Sequence, residues 1–137
     1  MSDRLIIFDV DGTLAETEEW HRRAFNEAFK AHGLDWHWDQ DLYRTLLRVT
    51  GGIERLQHFA RSRADQVDLR AIHRMKNARY QQLVACESAR LRPGVASLID
   101  HARILGIRLG IATTTSRANV EMLIACGRCQ RCAKSYE

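Results

Sequence analysis

The stretch IIFDVDGTLAET, residues 6–17, decides how the rest of the chain is read. Its lead-in, RLIIF from Arg4 to Phe8, is short, continuous and apolar, and it breaks into Asp9-Val10-Asp11-Gly12-Thr13. Continuous hydrophobicity of this length predicts a strand buried on both faces of a parallel sheet. On extended backbone, residues two apart face the same side, so Asp9 and Asp11 can approach one site beyond the strand's carboxyl end. Two convergent carboxylates suit Mg²⁺, which favours oxygen ligands and commonly brings substrate phosphate with it. A carboxylate can also attack phosphorus to form an aspartyl phosphate while a second carboxyl group delivers a proton to the leaving oxygen. Gly12 permits the tight turn, and Thr13 adds a hydroxyl. Asp-x-Asp-Gly is equally ordinary chemistry for ending a strand and beginning a loop, so the context has to discriminate.

That context is an α/β pattern. From about Thr17 to His32, Trp20, Ala24, Phe25, Ala28 and Phe29 recur at helical spacing, and Gly33 provides a stop. Between Leu34 and about Arg90 the periodicity stays helical, through Leu42, Leu46 and Val49, then Ile53, Leu56 and Phe59, then Ile72, Met75 and Leu83. This reads as a small all-helical insertion. Pro93 and Gly106 bracket a further helix with Val95, Leu98, Ile99, Ala102 and Leu105 along one face. IRLGIATTTS then predicts a second buried strand, Ile107 to about Ala112, running into Thr113-Thr114-Thr115-Ser116 and a helix begun near Ser116. In parallel sheets, ligands sit beyond the carboxyl ends of the strands, and both polar motifs fall there. The hydroxyl run at a helix N-terminus suits a phosphate; by itself it also reads as a helix cap.

Composition narrows the remaining classes. The 137 residues suffice for one domain with a small insertion, and 45% hydrophobic with 28% charged residues is ordinary globular composition. No run approaches the roughly 18 apolar residues of a membrane span, and no secretory leader is visible, so the expectation is a cytoplasmic protein without a membrane role. The net charge of +4 is spread among acidic residues with no basic stripe interleaved with aromatics, which argues against nucleic acid and leaves room for a small anionic substrate.

The motifs resemble a known family. The strand with Asp-Val-Asp-Gly-Thr is similar to motif I of the haloacid dehalogenase-like phosphohydrolases, and Ile-Ala-Thr-Thr-Thr-Ser resembles their motif II. With Glu-Thr-Glu-x-x-His after motif I, Thr-Gly-Gly-x-Glu-Arg in the insertion and Arg-Pro-Gly before the motif II helix, the chain resembles the CbbY-type branch, related to β-phosphoglucomutases and phosphoglycolate phosphatases. The resemblance covers about residues 4–124. It implies a partial Rossmann-like core over residues 1–16 and 91–125, a helical cap over 17–90 and an atypical tail over 126–137. It also implies Asp9 as nucleophile, Asp11 as general acid and then base, and Mg²⁺ on the Asp9 carboxylate and the Asp11 backbone carbonyl.

The same resemblance implies that Thr113, helped by Thr114, binds a phosphoryl oxygen, with Thr115, Ser116 and Asn119 lining the anion region. Glu18 and His21 look placed to meet the substrate, a small phosphorylated sugar. In the cap, Gly51, Gly52, Glu54 and Arg55 match the loop that closes on it, and Lys76 matches the group that meets its distal phosphate. Read from the residues alone, His21 is as compatible with an exposed helix position, and Arg55 and Lys76 with solvated helix charges. Ile53 stands where such chains are expected to carry lysine, which weakens the hold on a second phosphate.

Two pieces of the family pattern are not recognisable after motif II: the motif III lysine and the acidic motif IV. Lys134 follows no strand-and-helix unit of suitable length, and Glu137 has no acidic neighbour. The expectation is a C-terminally truncated chain with little turnover, exposed apolar surface and self-association through an uncovered sheet edge. The alternative is an inactive remnant that serves as an anion-binding or interaction module. CGRCQRCAKSYE departs abruptly in composition and reads as foreign or out-of-frame sequence; its Cys126, Cys129 and Cys132 offer a weaker rival reading as thiolate metal ligands.

Overall fold

A computed structural model of the chain describes residues 3–87 and 89–133, with side chains described to residue 126. The elements are β1 (Leu5–Phe8), α1 (Glu18–Ala31), α2 (Gln40–Leu46), α3 (Gly52–Ala60), α4 (Leu69–Glu87), α5 (Val95–Ile104), β2 (Arg108–Ile111) and α6 (Arg117–Ala133). They divide into two compact units, Met1–Thr17 with Ser88–Glu137, and Glu18–Glu87.

The first unit holds the sheet. β1 and β2 run parallel with Leu5 opposite Arg108 and Phe8 opposite Ile111, and the Ala112 N–H extends the ladder by donating to the Phe8 carbonyl at 2.9 Å. Parallel neighbours require a crossover, and here it contains the whole helical unit and α5. The register brings the carboxyl ends of both strands to the same edge, so the residues after Phe8 and after Ile111 emerge side by side.

The expected burial of these strands on both faces is not what the structure shows. Leu5 and Ile7 are 50% and 59% exposed, and Ile111 is 43% exposed. The apolar face expected for α5 is also largely uncovered: Ala102 is buried, whereas Leu98 and Leu105 are about half exposed. The physical reason is layer count. Two strands and α5 make one covered sheet face, the one carrying Ile6 and Ile107, and the described residues place no second layer against Leu5 and Ile7 on the other. An open apolar groove of about 400 Å³ remains beside α5, lined by Ile6, Leu98, Ala102, Leu105 and Ile107.

The second unit is all helical, and its sequence explains each helix end. The Asp39 carboxylate accepts the Leu42 N–H at 2.8 Å and caps α2, while Asp68 accepts the N–H groups of Arg70 and Ala71 at the start of α4. α1 carries Glu18 and Glu19 in its first turn and Lys30 in its last, matching the helix dipole, and stops at Gly33 with φ +69°. The apolar stripes meet in an aromatic core of Phe25, Phe29, Trp36, Trp38, Tyr43 and Phe59, with Leu56 and Ile72. Ring centroids lie 4.5 Å apart for Phe25 and Trp38 and 5.0 Å for Phe29 and Trp38, in tilted or edge-on arrangements that aromatic quadrupoles favour.

α6 continues to Ala133, across residue 126 where the composition changes. The side chains of Cys129 and Cys132, and the residues Lys134 and Glu137, lie outside the described residues. Among the described residues, no helix is long and apolar enough to cross a membrane.

Candidate active site

The first unit carries Asp9, Asp11 and the hydroxyl run. Asp9 leaves the end of β1 exposed, Val10 turns inward and is 1% exposed, and Asp11 is half-buried. The turn that follows is stitched by its own backbone: the Thr13 and Leu14 N–H groups donate to the Val10 carbonyl at 3.2 and 2.9 Å, and the Gly12 N–H donates to the Ala15 carbonyl at 2.9 Å. Gly12 has φ +72°, the left-handed region that glycine enters at little cost. Thr17, fully buried, donates its hydroxyl to Oδ1 of Asp11 at 2.5 Å, so the half-buried carboxylate has a fixed direction. Asp9 and Asp11 are therefore presented differently, one open at the strand end and one held.

At the end of the neighbouring strand, Thr113 to Ser116 form the bend into α6. The Thr115 N–H donates to Oγ1 of Thr113 at 3.2 Å, and Oγ of Ser116 accepts the Asn119 N–H at 3.3 Å, capping the helix. Asn119, 1% exposed, donates its side-chain N–H to Oγ1 of Thr115 at 3.2 Å. The cap reading of the hydroxyl run is thus correct for Ser116. The parallel register puts this helix start and its N–H groups at the same sheet edge as Asp9.

The second unit carries the other expected residues, and two alternative readings fail there. His21 is 5% exposed rather than an exposed helix residue, and Lys76 is 4% exposed rather than a solvated charge. They form one cluster: the Lys76 ammonium lies 2.8 Å from Nδ1 of His21, 4.9 Å from the Phe25 ring centroid and 5.5 Å from that of Tyr80. The His21 ring stacks on Tyr80 at 4.0 Å with 3° between planes. Aromatic faces favour a cation electrostatically and compensate part of its lost hydration.

Arg55 is half-buried, donating Nε to the Leu46 carbonyl at 3.1 Å and lying 5.4 Å from the Tyr43 ring. Nη1 of Arg55 also donates to the Tyr43 hydroxyl at 3.4 Å, and that hydroxyl donates to Oε2 of Glu18 at 3.3 Å. Gly51 has φ +91°, and Oε2 of Glu54 occupies the space beside it: a Cβ built there would lie 2.1 Å from that oxygen. A Cβ on Gly52 would lie 2.9 Å from Nε2 of His73. His73 is held below the usual histidine range, first by burial and then by the Lys76 charge, with Glu54 opposing. Ile53 is partly buried against the aromatic core.

Sequence reasoning missed Thr17, Tyr43 and His73. Tyr43 sits at core spacing and looks like packing, although its hydroxyl links Glu18 to Arg55. Thr17 gave one available signal, a polar residue at the start of an amphipathic helix and close to the aspartates.

Residues Asp9 and Asp11 offer carboxylate and carbonyl oxygens, a donor set that fits a hard divalent cation retaining waters and substrate phosphate. Among the described residues, no group of three or more His, Cys, Asp or Glu side chains is placed to hold a metal.

The haloacid dehalogenase-like hydrolase family matches residues 4–129. Protein CbbY of Rhodobacter capsulatus is 53% identical over 128 residues, which are 91% of this chain and 56% of that protein. Two crystal structures of CbbY from Rhodobacter sphaeroides superpose closely. One is a mutant in complex with xylulose-(1,5)bisphosphate (TM-score 0.88, 51% identity, 91% of this chain and 57% of that one), and the other is in complex with phosphate (TM-score 0.87, 52% identity, the same coverage). The chain spans about half the length of these relatives.

Proposed function

The chain belongs to the haloacid dehalogenase-like hydrolases, and on that premise we propose that it carries the nucleophile, acid/base and cap of a Mg²⁺-dependent phosphatase acting on a small sugar phosphate. The observation that carries this reading is the in-register pairing of β1 with β2, which sets Asp9 and the Thr113–Ser116 helix start at one sheet edge. An Asp9 oxygen bonds to phosphorus as the phosphorus–oxygen bond to the sugar breaks, and Asp11 gives its proton to the departing sugar oxygen. Asp11 then takes a proton from water, whose oxygen attacks the aspartyl phosphate, releasing phosphate and restoring Asp9. Thr113 and Thr114 bind phosphoryl oxygens, and Thr115, Ser116 and Asn119 shape that pocket wall. The Asp9 carboxylate and the Asp11 carbonyl would hold a Mg²⁺, which would supply charge neutralisation at the phosphoryl group.

In the cap, Glu18 and His21 meet the sugar, Lys76 and Arg55 meet anionic oxygens, and Gly51, Gly52 and Glu54 form the closing turn. The crystallographic complex of CbbY with xylulose bisphosphate supports a phosphorylated sugar as the ligand class. Ile53, packed on the cap core and uncharged, favours a monophosphate over a tightly held bisphosphate.

The test is Mg²⁺-dependent phosphate release from a panel of sugar phosphates, beside calorimetry with inorganic phosphate. The expected result is release that disappears in Asp9→Asn while phosphate binding persists. Phosphate binding without release marks an anion-binding module instead, and neither binding nor release removes the phosphatase reading altogether. The exposed Leu5 and Ile7, which share one face of β1, carry a second part of the proposal, self-association through the sheet. Sedimentation at micromolar concentration checks it, with a stable monomer as the contrary outcome.

A further inference from the structure

We propose that Arg92 is a positioning residue for Asp11, acting through Gly12; the proposal deepens the phosphatase reading and rests on it. Nη1 of Arg92 donates to the Gly12 carbonyl, and Nε lies 3.1 Å from Oε1 of Glu16. The Arg92 N–H donates to the Leu14 carbonyl at 2.8 Å, and Leu91 forms an antiparallel bridge with Ala15. The segment before α5 is thereby laid along the segment after Asp11. Pro93 contributes, because the ring of a proline confines the preceding residue to extended backbone.

The consequence falls on the peptide unit beside Asp11. The Gly12 N–H is committed to Ala15 and its carbonyl to Arg92, so both polar groups of a residue with φ +72° are tied. Asp11 then sits between two restraints: Thr17 on its carboxylate, and Arg92 on the residue that follows. A guanidinium is a planar fork that serves the carbonyl and the Glu16 carboxylate together, whereas an ammonium is a compact point charge without that fork. Stability alone does not explain the arrangement. The Arg92 and Glu16 side chains are 47% and 71% exposed, and ion pairs that open to water add little to folding. Orientation is what the pair supplies, and misplacing an acid by a fraction of its hydrogen-bond length is costly in turnover.

The experiment compares the full wild-type chain with Arg92→Ala, Arg92→Lys and Glu16→Gln. Amide hydrogen exchange at Gly12, Thr13 and Leu14 reads the turn directly, and Mg²⁺-dependent hydrolysis of p-nitrophenyl phosphate reads turnover. The expected result for Arg92→Ala is at least tenfold faster exchange at those three amides, unchanged exchange in α1 to α4, and about a tenfold lower kcat with KM within twofold. Arg92→Lys recovers part of both effects, and Glu16→Gln gives a smaller loss in the same direction. Unchanged exchange at the turn overturns the proposal, as does a kcat loss that follows the unfolded fraction or that Arg92→Lys does not reduce. If the wild-type chain hydrolyses nothing, the phosphatase reading fails in this chain, and the exchange comparison with its lysine rescue decides the Arg92 proposal on its own.

Discussion

The Lys76 ammonium lies 2.8 Å from Nδ1 of His21, and both side chains are almost fully buried in the helical unit. An ammonium has only protons to give, so a charged Lys76 takes Nδ1 of His21 as its acceptor. Lys76 pairs with the buried Nδ1 of His21, and removing one member of a buried polar pair leaves the other unsatisfied. Lys76→Met is expected to cost about 1–3 kcal/mol of stability in urea titration while weakening calorimetric binding of a sugar phosphate at least tenfold. A large loss of stability with unchanged binding would assign Lys76 to the cap's architecture instead.

Thr17 holds Asp11 with a hydroxyl that valine lacks at the same shape. Thr17→Val is expected to cost about 1–2 kcal/mol of stability in urea titration. On the proposed role of Asp11 as acid, losing the bond that orients it is expected to lower kcat for Mg²⁺-dependent phosphate release about tenfold, with KM nearly constant. Equal losses in kcat and in folded fraction would show a structural contact only.

Asp9, Asp11 and the hydroxyl run were legible because period and punctuation change there: an apolar run ends, a glycine turn follows, and the second strand repeats the pattern. The cap helices were legible for the same reason, Trp20 to Phe29 in α1 being the clearest case. The burial of His21 and Lys76 was not, since helical spacing locates a residue on a face without saying what covers that face. Strand burial failed for a related reason: Leu5 and Ile7 have the composition of a two-sided core strand, but burial needs partner layers, and no local pattern supplies them. Arg92 and Thr17 matter through contacts with Gly12 and Asp11 that depend on how two chain segments lie together.

Gly51 and Gly52 answer to different constraints, and substitution separates them. Alanine at Gly51 meets strain from φ +91°, and Glu54 must also swing away from the added Cβ. A residue held in that region costs roughly 1–3 kcal/mol, so Gly51→Ala is expected to lower stability by about that much in urea titration. Alanine at Gly52 meets the His73 ring at 2.9 Å instead. Gly52→Ala should therefore displace His73 and shift its imidazole resonances, a change Gly51→Ala does not produce. Unmoved His73 signals in Gly52→Ala would refute the contact.

His73 also gives the helical unit a pH dependence of definite sign. Burial first, and the Lys76 charge second, hold its folded-state pKa below the ordinary value of 6.5, with Glu54 pulling the other way. Between those two values the unfolded chain binds a proton that the folded chain refuses. Stability therefore rises with pH across that interval. The contribution is fully present above the unfolded value and is lost as pH falls through the folded one. Glu87 behaves similarly in a more acidic window: hydrogen bonds from Trp20 and then Arg23 lower its pKa from 4.5, so its contribution is lost as pH falls below that value. Urea midpoints measured downward from pH 7 at constant ionic strength should fall first through the His73 interval and again in the carboxylate range. His73→Gln should flatten the first fall and leave the second, whereas Glu87→Gln should reduce the second alone. A His73→Gln protein that keeps the whole slope immediately below pH 6.5 would show that another group carries the first transition.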